Sequence, residues 1–317
     1  MRNHKEASIL IAAAQKEQRC CAGGSSSVNR ALYRRQVAGE LVKPYPGLFF
    51  PLQEWNALSP GQHTLYVARA LHHKHSGWVF ASVTAAAFYG LSVRQNLYDG
   101  SICIATKESP SSSRNPLLRC VSMPHVEVHD VGGIPVTSVA RTLVDCGYRC
   151  SFRDSLPIYD SALAAELVAK DDIIAECRTI RHGRTKVADL IRFADARSES
   201  GGESFCRATM IEEGFPVPQL QVEYSDGNGS NYRVDFQYQL RSGEIVVVEF
   251  DGMEKYVNPS MTHGAVIEEV VRREQERERF LFRNGVSRIV RLTYRDVLGR
   301  KEMVRKLIDA GVPCMKL

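Results

Sequence analysis

At 317 residues, with 44% hydrophobic and 24% charged residues, the sequence has the composition of a globular protein of two or three domains. No apolar run approaches the roughly 18 residues that span a bilayer, and the N-terminal MRNHKEASILIAAAQKEQ lacks the apolar block of a secretory signal. Nine cysteines without a CxxC pair argue against a disulfide framework, and Cys146 and Cys150 lack histidines at zinc spacing, so a cytoplasmic protein with reduced thiols and no membrane partner is expected. The net charge of +5 is modest but unevenly spread.

The first residues read as an amphipathic helix. In GGSSSVNRALYRRQVAGELVKPYPGLFFP, Ser26 or Ser27 can cap a second helix that runs to about Ala38, and Gly39 stops it. Val28, Leu32 and Val37 would form its buried stripe, leaving Asn29, Arg30, Tyr33 and Arg34 outside. ELV and GLFF follow as short strands joined by KPYP. Helix, glycine turn and β-wing give the outline of a winged helix-turn-helix. Such a unit places the polar helix in a major groove and Lys43 of the wing on phosphate. Arg30, Arg34, Arg35 and Lys43 form a cationic group with few acids nearby, the footprint of a double-stranded DNA partner. The competing interpretation is a small α/β piece with a basic surface. A second arginine-rich stretch, Arg272 to Arg295, is interleaved with glutamates and also fits a solvated helix face.

The middle of the chain offers elements rather than chemistry. TAAAFYGL reads as a helix packed through alanines, and GSICIAT, LLRCVSM and VEVHDV as strands. Thr137 or Ser138 can cap a helix through TSVARTLVDCGYR, and helical patterns follow at 156–168, 171–180 and 185–195. His125 and His129 fall on a strand and read as surface or packing residues. These boundaries suggest three regions: a DNA-binding unit at 1–55, an α/β scaffold at 56–197 and a further domain at 198–317.

That last domain opens with SESGGESFCRATMIEEGF, a helix with Glu203 in its first turn and Phe205, Met210 and Ile211 toward a core. QLQVEY is a strand. YRVDFQYQLRSGEIVVVEFDG then reads as a hairpin. Alternation puts Tyr232, Val234, Phe236 and Tyr238 on one face and Asp235 on the other, and sets Glu249 and Asp251 on a shared face. A three-residue Arg241-Ser242-Gly243 loop, with Gly243 left-handed, predicts the pairs Phe236–Val248 and Asp235–Glu249. A two-residue loop would separate the acids. Two carboxylates opposite each other destabilise a sheet, and a hard divalent cation, Mg²⁺ or Mn²⁺, is the simplest reason to keep Asp235, Glu249 and Asp251 together. A long charged helix, the strand SRIVRLTY and a final helix RDVLGRKEMVRKLIDAG complete the order α-β-β-β-α-β-α.

This order, with Asp235 in YRVDF, EFDGMEKY from Glu249 to Tyr256 and Glu203 on the leading helix, resembles the very-short-patch-repair-like branch of the PD-(D/E)XK nuclease superfamily over residues 200–300. The front of the chain, with PGLFF, TAAAFYGL and IPVTSVARTLVDC, resembles AbiEi-type antitoxins, which bind DNA, regulate transcription and act beside a toxin partner. Together they imply an α+β multidomain protein: winged helix, mixed α/β middle and a restriction-endonuclease-like core. They also imply a DNA-binding protein with a metal-dependent endonuclease domain. In that scheme Asp235 and Glu249 are the central ligands, Asp251 completes the shell or orients water, and Glu203 joins directly or through water. The superfamily's lysine, two residues after the second acid, is replaced by Asp251. Lys255 either supplies that charge from a shifted position or is a surface residue of an inactive site. Arg207 and Arg277 would contact DNA or form ion pairs. The rival implication is a regulator that binds DNA without cutting it.

Overall fold

A computed structural model of the protein describes residues 4–107, 115–225, 231–251 and 264–316. The fold is mixed α/β, and the chain divides into two compact units, 1–150 with 166–192 and 151–165 with 193–317. The 56–197 region of the sequence reading is thus shared between the two. No described helix is long and apolar enough to cross a membrane.

In the first unit, α1 (Lys5–Lys16) and α2 (Ser26–Val37) precede the antiparallel hairpin of β1 (Leu41–Tyr45) and β2 (Leu48–Pro51). The α2 cap is Ser25, whose hydroxyl accepts the Val28 N–H at 3.4 Å, just before the serines expected to do so. The helix ends in a Schellman motif: Glu40 N–H reaches the Arg35 carbonyl and Gly39 N–H that of Gln36. Gly39 sits at φ +77°, a conformation glycine adopts without strain. The buried stripe of α2 is Val28, Ala31 and Leu32. Val37, expected to join it, is 69% exposed. At about 3.6 residues per turn its position lies nearly opposite Val28, so the expectation was a miscount of phase.

The helices α3 (Leu52–Ala57), α4 (Pro60–Lys74) and α5 (Ser82–Phe88) follow. Phe49 packs with Ile11, Val28 and Leu32, while Leu48 and Phe50 pack with Val67 and Leu71 of α4. Both faces of β2 are therefore covered, which is why GLFF is a continuous apolar run instead of an alternating one. Next come β3 (Ile102–Thr106) parallel to β4 (Leu118–Ser122), then β5 (Val128–Val131) antiparallel to β6 (Ile134–Thr137). Phe80 bridges to Ile104 and to Val136. Helix α6 (Val139–Arg149) starts at a Ser138 cap. His129 lies on the surface, 3.1 Å from Glu127.

The second unit takes α7 (Phe152–Ala164); α8 (Lys170–Cys177) returns to the first, and α9 (Arg184–Phe193) runs up to the boundary. After α10 (Gly201–Glu212), strands β7 (Gln219–Ser225), β8 (Asn231–Gln239) and β9 (Ile245–Asp251) form an antiparallel meander. Helix α11 (Gly264–Arg283) leads to β10 (Val286–Thr293), which pairs parallel with β9, giving the sheet order β10-β9-β8-β7. One face packs Val246, Val248, Phe236 and Tyr238 against Phe205 and Met210 of α10. The other packs Val247 against Leu281 of α11 and Val286. Val246, Val247 and Val248 are all 0% exposed, as a strand buried on both faces requires. The single final helix expected from the sequence is two, α12 (Tyr294–Gly299) and α13 (Lys301–Asp309). Arg300 breaks it at φ +63°, its guanidinium held by Glu212 at 2.7 Å and by Glu213.

Candidate nucleic-acid cleft and acid cluster

The first unit carries a cleft of ≈ 740 Å³ between α2 and the β1–β2 hairpin. Asn29, Arg30, Tyr33 and Arg34 line it from the helix, and Lys43 and Gly47 from the hairpin. Among its lining residues there is no carboxylate. Among the described residues no ion pair or hydrogen bond engages the side chains of Arg30, Arg34 or Lys43. Arg35 differs from them. It points off the cleft, with Nε donating to Glu40 at 2.7 Å and Nη1 to Ser8 at 3.4 Å. The Asn29 amide donates to the Gly23 carbonyl at 3.4 Å.

In the second unit the hairpin register follows the three-residue loop. Leu240 N–H donates to Glu244 O, Gly243 takes φ +90°, and Phe236 faces Val248. Continued by one pair, this register sets Asp235 opposite Glu249. The ladder, however, stops at Phe236–Val248. Beyond it the Asp235 carboxylate accepts the Phe250 N–H at 2.8 Å, taking a place that the neighbouring strand's carbonyl fills elsewhere in a ladder.

The strict alternation expected for β8 also breaks there. Val234 packs on the α11 side with Val247, whereas Phe236 packs on the α10 side. On β7 the same exchange occurs between Leu220 and Val222, on either side of Gln221 at φ +52°. Gln221 is opposite Asp235 in the β7–β8 register. Both strands thus change face at one level. A left-handed glutamine in mid-strand costs on the order of 1–3 kcal/mol and persists only where its surroundings enforce it. Nothing in QLQVEY announces this residue, and the sequence reading missed it.

Gln221 links the sheet to α10. Its Nε2 donates to Glu203 Oε2 at 2.9 Å, and Glu203 also accepts from the Ser200 hydroxyl at 2.8 Å and the Glu199 N–H at 3.1 Å. Serine at the cap and glutamate three residues on make a variant capping box that reaches one residue further back. Burial pushes the Glu203 carboxyl up, against these hydrogen bonds, and the charge of Asp235 adds to the rise. Burial likewise raises Glu249; Arg277 pulls it back, and Asp235 again raises it. Asp235 thus lies near enough to raise both Glu203 and Glu249. Arg277 Nη2 donates to Glu249 Oε1 at 2.7 Å and to the Arg233 carbonyl at 3.0 Å. Asp251 ends β9, in register with Thr293 of β10. Lys255 lies outside the described residues.

Arg207 corrects the sequence reading. It is 1% exposed and cannot meet DNA from this position. Its Nη2 donates to Asp160 of α7 at 2.6 Å and its Nη1 to the Phe193 carbonyl at 2.5 Å. Asp160 in turn accepts the Asp195 N–H at 2.8 Å. This buried pair ties α7 to α10. The C-terminal arginines are also largely engaged: Arg272 and Arg273 with Glu269, Arg288 with Glu244, Arg291 with Glu274 and Glu278.

No family model matches the chain, and no solved structure matches it. Two proteins of Mycobacterium tuberculosis are similar to it over 183 residues at 29% identity: "Uncharacterized protein MT2308" of strain CDC 1551 / Oshkosh and "Uncharacterized protein Rv2248" of strain ATCC 25618 / H37Rv. The match covers 56% of this chain and 64% of each relative.

Proposed function

We propose that the chain binds double-stranded DNA through the N-terminal cleft and hydrolyses phosphodiester bonds at the acid cluster with Mg²⁺ or Mn²⁺. The observation that carries the binding half is the cleft itself, where Arg30, Arg34 and Lys43 face solvent with no counter-charge among the described residues. Unpaired cations on a helix and an adjoining hairpin match the spaced charges of a duplex, and each neutralised phosphate releases counterions. The helix–hairpin arrangement supports the winged-helix reading, and the α10, β7–β8–β9, α11, β10 order supports the nuclease-like one.

The hydrolytic half rests on the carboxylates at the face change of the sheet, where Asp235, held by the Phe250 N–H, adds to the rise of both Glu203 and Glu249. Their donor chemistry, carboxylate oxygen alone, fits a hard divalent cation. Asp235, Glu249 and Asp251 are the residues that would hold it. Among the described residues no group of three or more His, Cys, Asp or Glu stands ready to hold a metal ion. When bound, such an ion lowers the pKa of water and screens phosphate charge. The chain's own share is to hold Asp235 by the Phe250 N–H, to fix Glu203 through Gln221 and Ser200, and to release Glu249 from Arg277. That last contact also favours a second reading, a DNA-binding regulator without cleavage, because a resident guanidinium already balances Glu249. Supercoiled plasmid incubated with Mg²⁺, Mn²⁺ or EDTA separates the two. Metal-dependent nicking lost in Asp235→Ala supports the nuclease, and intact plasmid that still shifts in a gel leaves the regulator.

A further inference from the structure

Helix α2 carries two exposed apolar side chains on a face that is otherwise built for charge. Tyr33 is 55% exposed and Val37 69%. Four residues apart, they stand one above the other on the helix surface. Arg30 and Arg34 make the adjoining row at the same spacing, and Tyr33 lines the cleft with both of them and with Lys43. The helix therefore offers a cationic row beside an apolar one. An apolar protein surface would fill the second row but would leave three cations desolvated and unpaired. A duplex satisfies both rows, since phosphates meet the cations and the thymine C5-methyl is the apolar group on base edges in the major groove.

We propose that Tyr33 and Val37 are specificity-determining residues that contact thymine methyl groups in the major groove. This rests on the DNA-binding reading and adds to it the feature of the DNA that is read. The axial rise between the two residues is about 6 Å, which covers roughly two base steps of about 3.4 Å. Thymines two steps apart, or on opposite strands at adjacent steps, suit that reach.

The test uses the full chain and a random-sequence duplex pool of about 20 base pairs, from which tight binders are selected. The selected duplexes are then made twice, with thymine or with uracil at every T position. Uracil keeps all base-pair hydrogen bonds and lacks only the methyl. Wild type should bind the thymine form more tightly, by about fourfold for each contacted methyl. Tyr33→Ser and Val37→Ser should each shrink that ratio toward one, and a ratio unchanged in both variants would overturn the proposal. Equal wild-type affinity for the two forms would overturn the proposal while DNA binding stood. Absence of salt-sensitive binding to any duplex would overturn it together with the reading beneath it. The thymine–uracil comparison needs only wild type, so a variant that fails to fold does not blunt it.

Discussion

Arg30, Arg34 and Lys43 of the first unit carry no counter-charge among the described residues, whereas Arg272, Arg273, Arg277, Arg288 and Arg291 of the second are each held by a glutamate. The C-terminal stretch holds more arginine, yet the N-terminal one gathers its unmatched cations around one cleft. A cation already matched within the fold offers a phosphate little, because the new contact must replace an existing one. Arg279, Arg283 and Arg295 are exposed without ion pairs among the described residues, so the second unit keeps some free charge along α11 and after β10. Arg207 stands at the far end of the comparison, fully enclosed and committed to Asp160.

The largest effect should come from that enclosed pair. Arg207→Met leaves Asp160 buried without its cation, and loss of one partner from such a pair costs roughly 3–5 kcal/mol. Urea unfolding of the variant should show that loss in the second unit. A change too small to measure would mean that Asp160 is neutral in the fold and the pair is not ionic. Burial raises Asp160 most, with Arg207 opposing it, so the balance of these two causes is what the experiment reads.

The acid cluster should set a smaller, pH-dependent term. Glu203 and Glu249 both lie above their ordinary value of 4.5. A carboxyl raised in the fold keeps a proton that the unfolded chain has already released. Its contribution is therefore present below the unfolded value and is lost as pH rises through the window up to the folded value. Melting curves taken from about pH 4 upward should show wild type losing stability across that window, and Glu249→Gln, which does not titrate, losing less. A steeper loss in the variant would contradict the burial argument.

At the small end, Arg305→Ala and Arg272→Ala should leave stability within experimental error. Both side chains are more than half exposed, at 62% and 58%, and water screens their pairs. The Arg272→Ala/Arg273→Ala double variant should likewise keep its DNA affinity. A clear loss in it would erase the distinction between matched and unmatched arginines.

Local chemistry was legible in the sequence, and long-range partnership was not. Gly243 at the third loop position specified the hairpin register down to Phe236–Val248, because turn geometry is decided within a few residues. Ser138 and Gly39 marked helix ends for the same reason. The change of face at Gln221 and Asp235 is not legible, since alternation predicts an unbroken face and glutamine carries no sign of a left-handed backbone. For Arg207 the sequence left DNA contact and an ion pair both open, because its partner, Asp160, is 47 positions away on another helix. Arg277 was open between DNA and an ion pair, and the packing of α11 over the sheet gives it Glu249, 28 positions away. Break of the last helix at Arg300 depends on Glu212 and Glu213, again remote in sequence.

The central claim is that the unmatched cations of the cleft form the DNA-binding surface. Its most direct test is a salt titration of duplex binding for wild type and the Arg30→Ala/Arg34→Ala/Lys43→Ala variant, read by fluorescence anisotropy. Each phosphate contact contributes about −0.9 to the slope of log K against log salt. The account predicts a shallower slope in the variant, by about 2 to 3, and affinity lower by at least an order of magnitude at low salt. Identical slopes and affinities in the two proteins would contradict it.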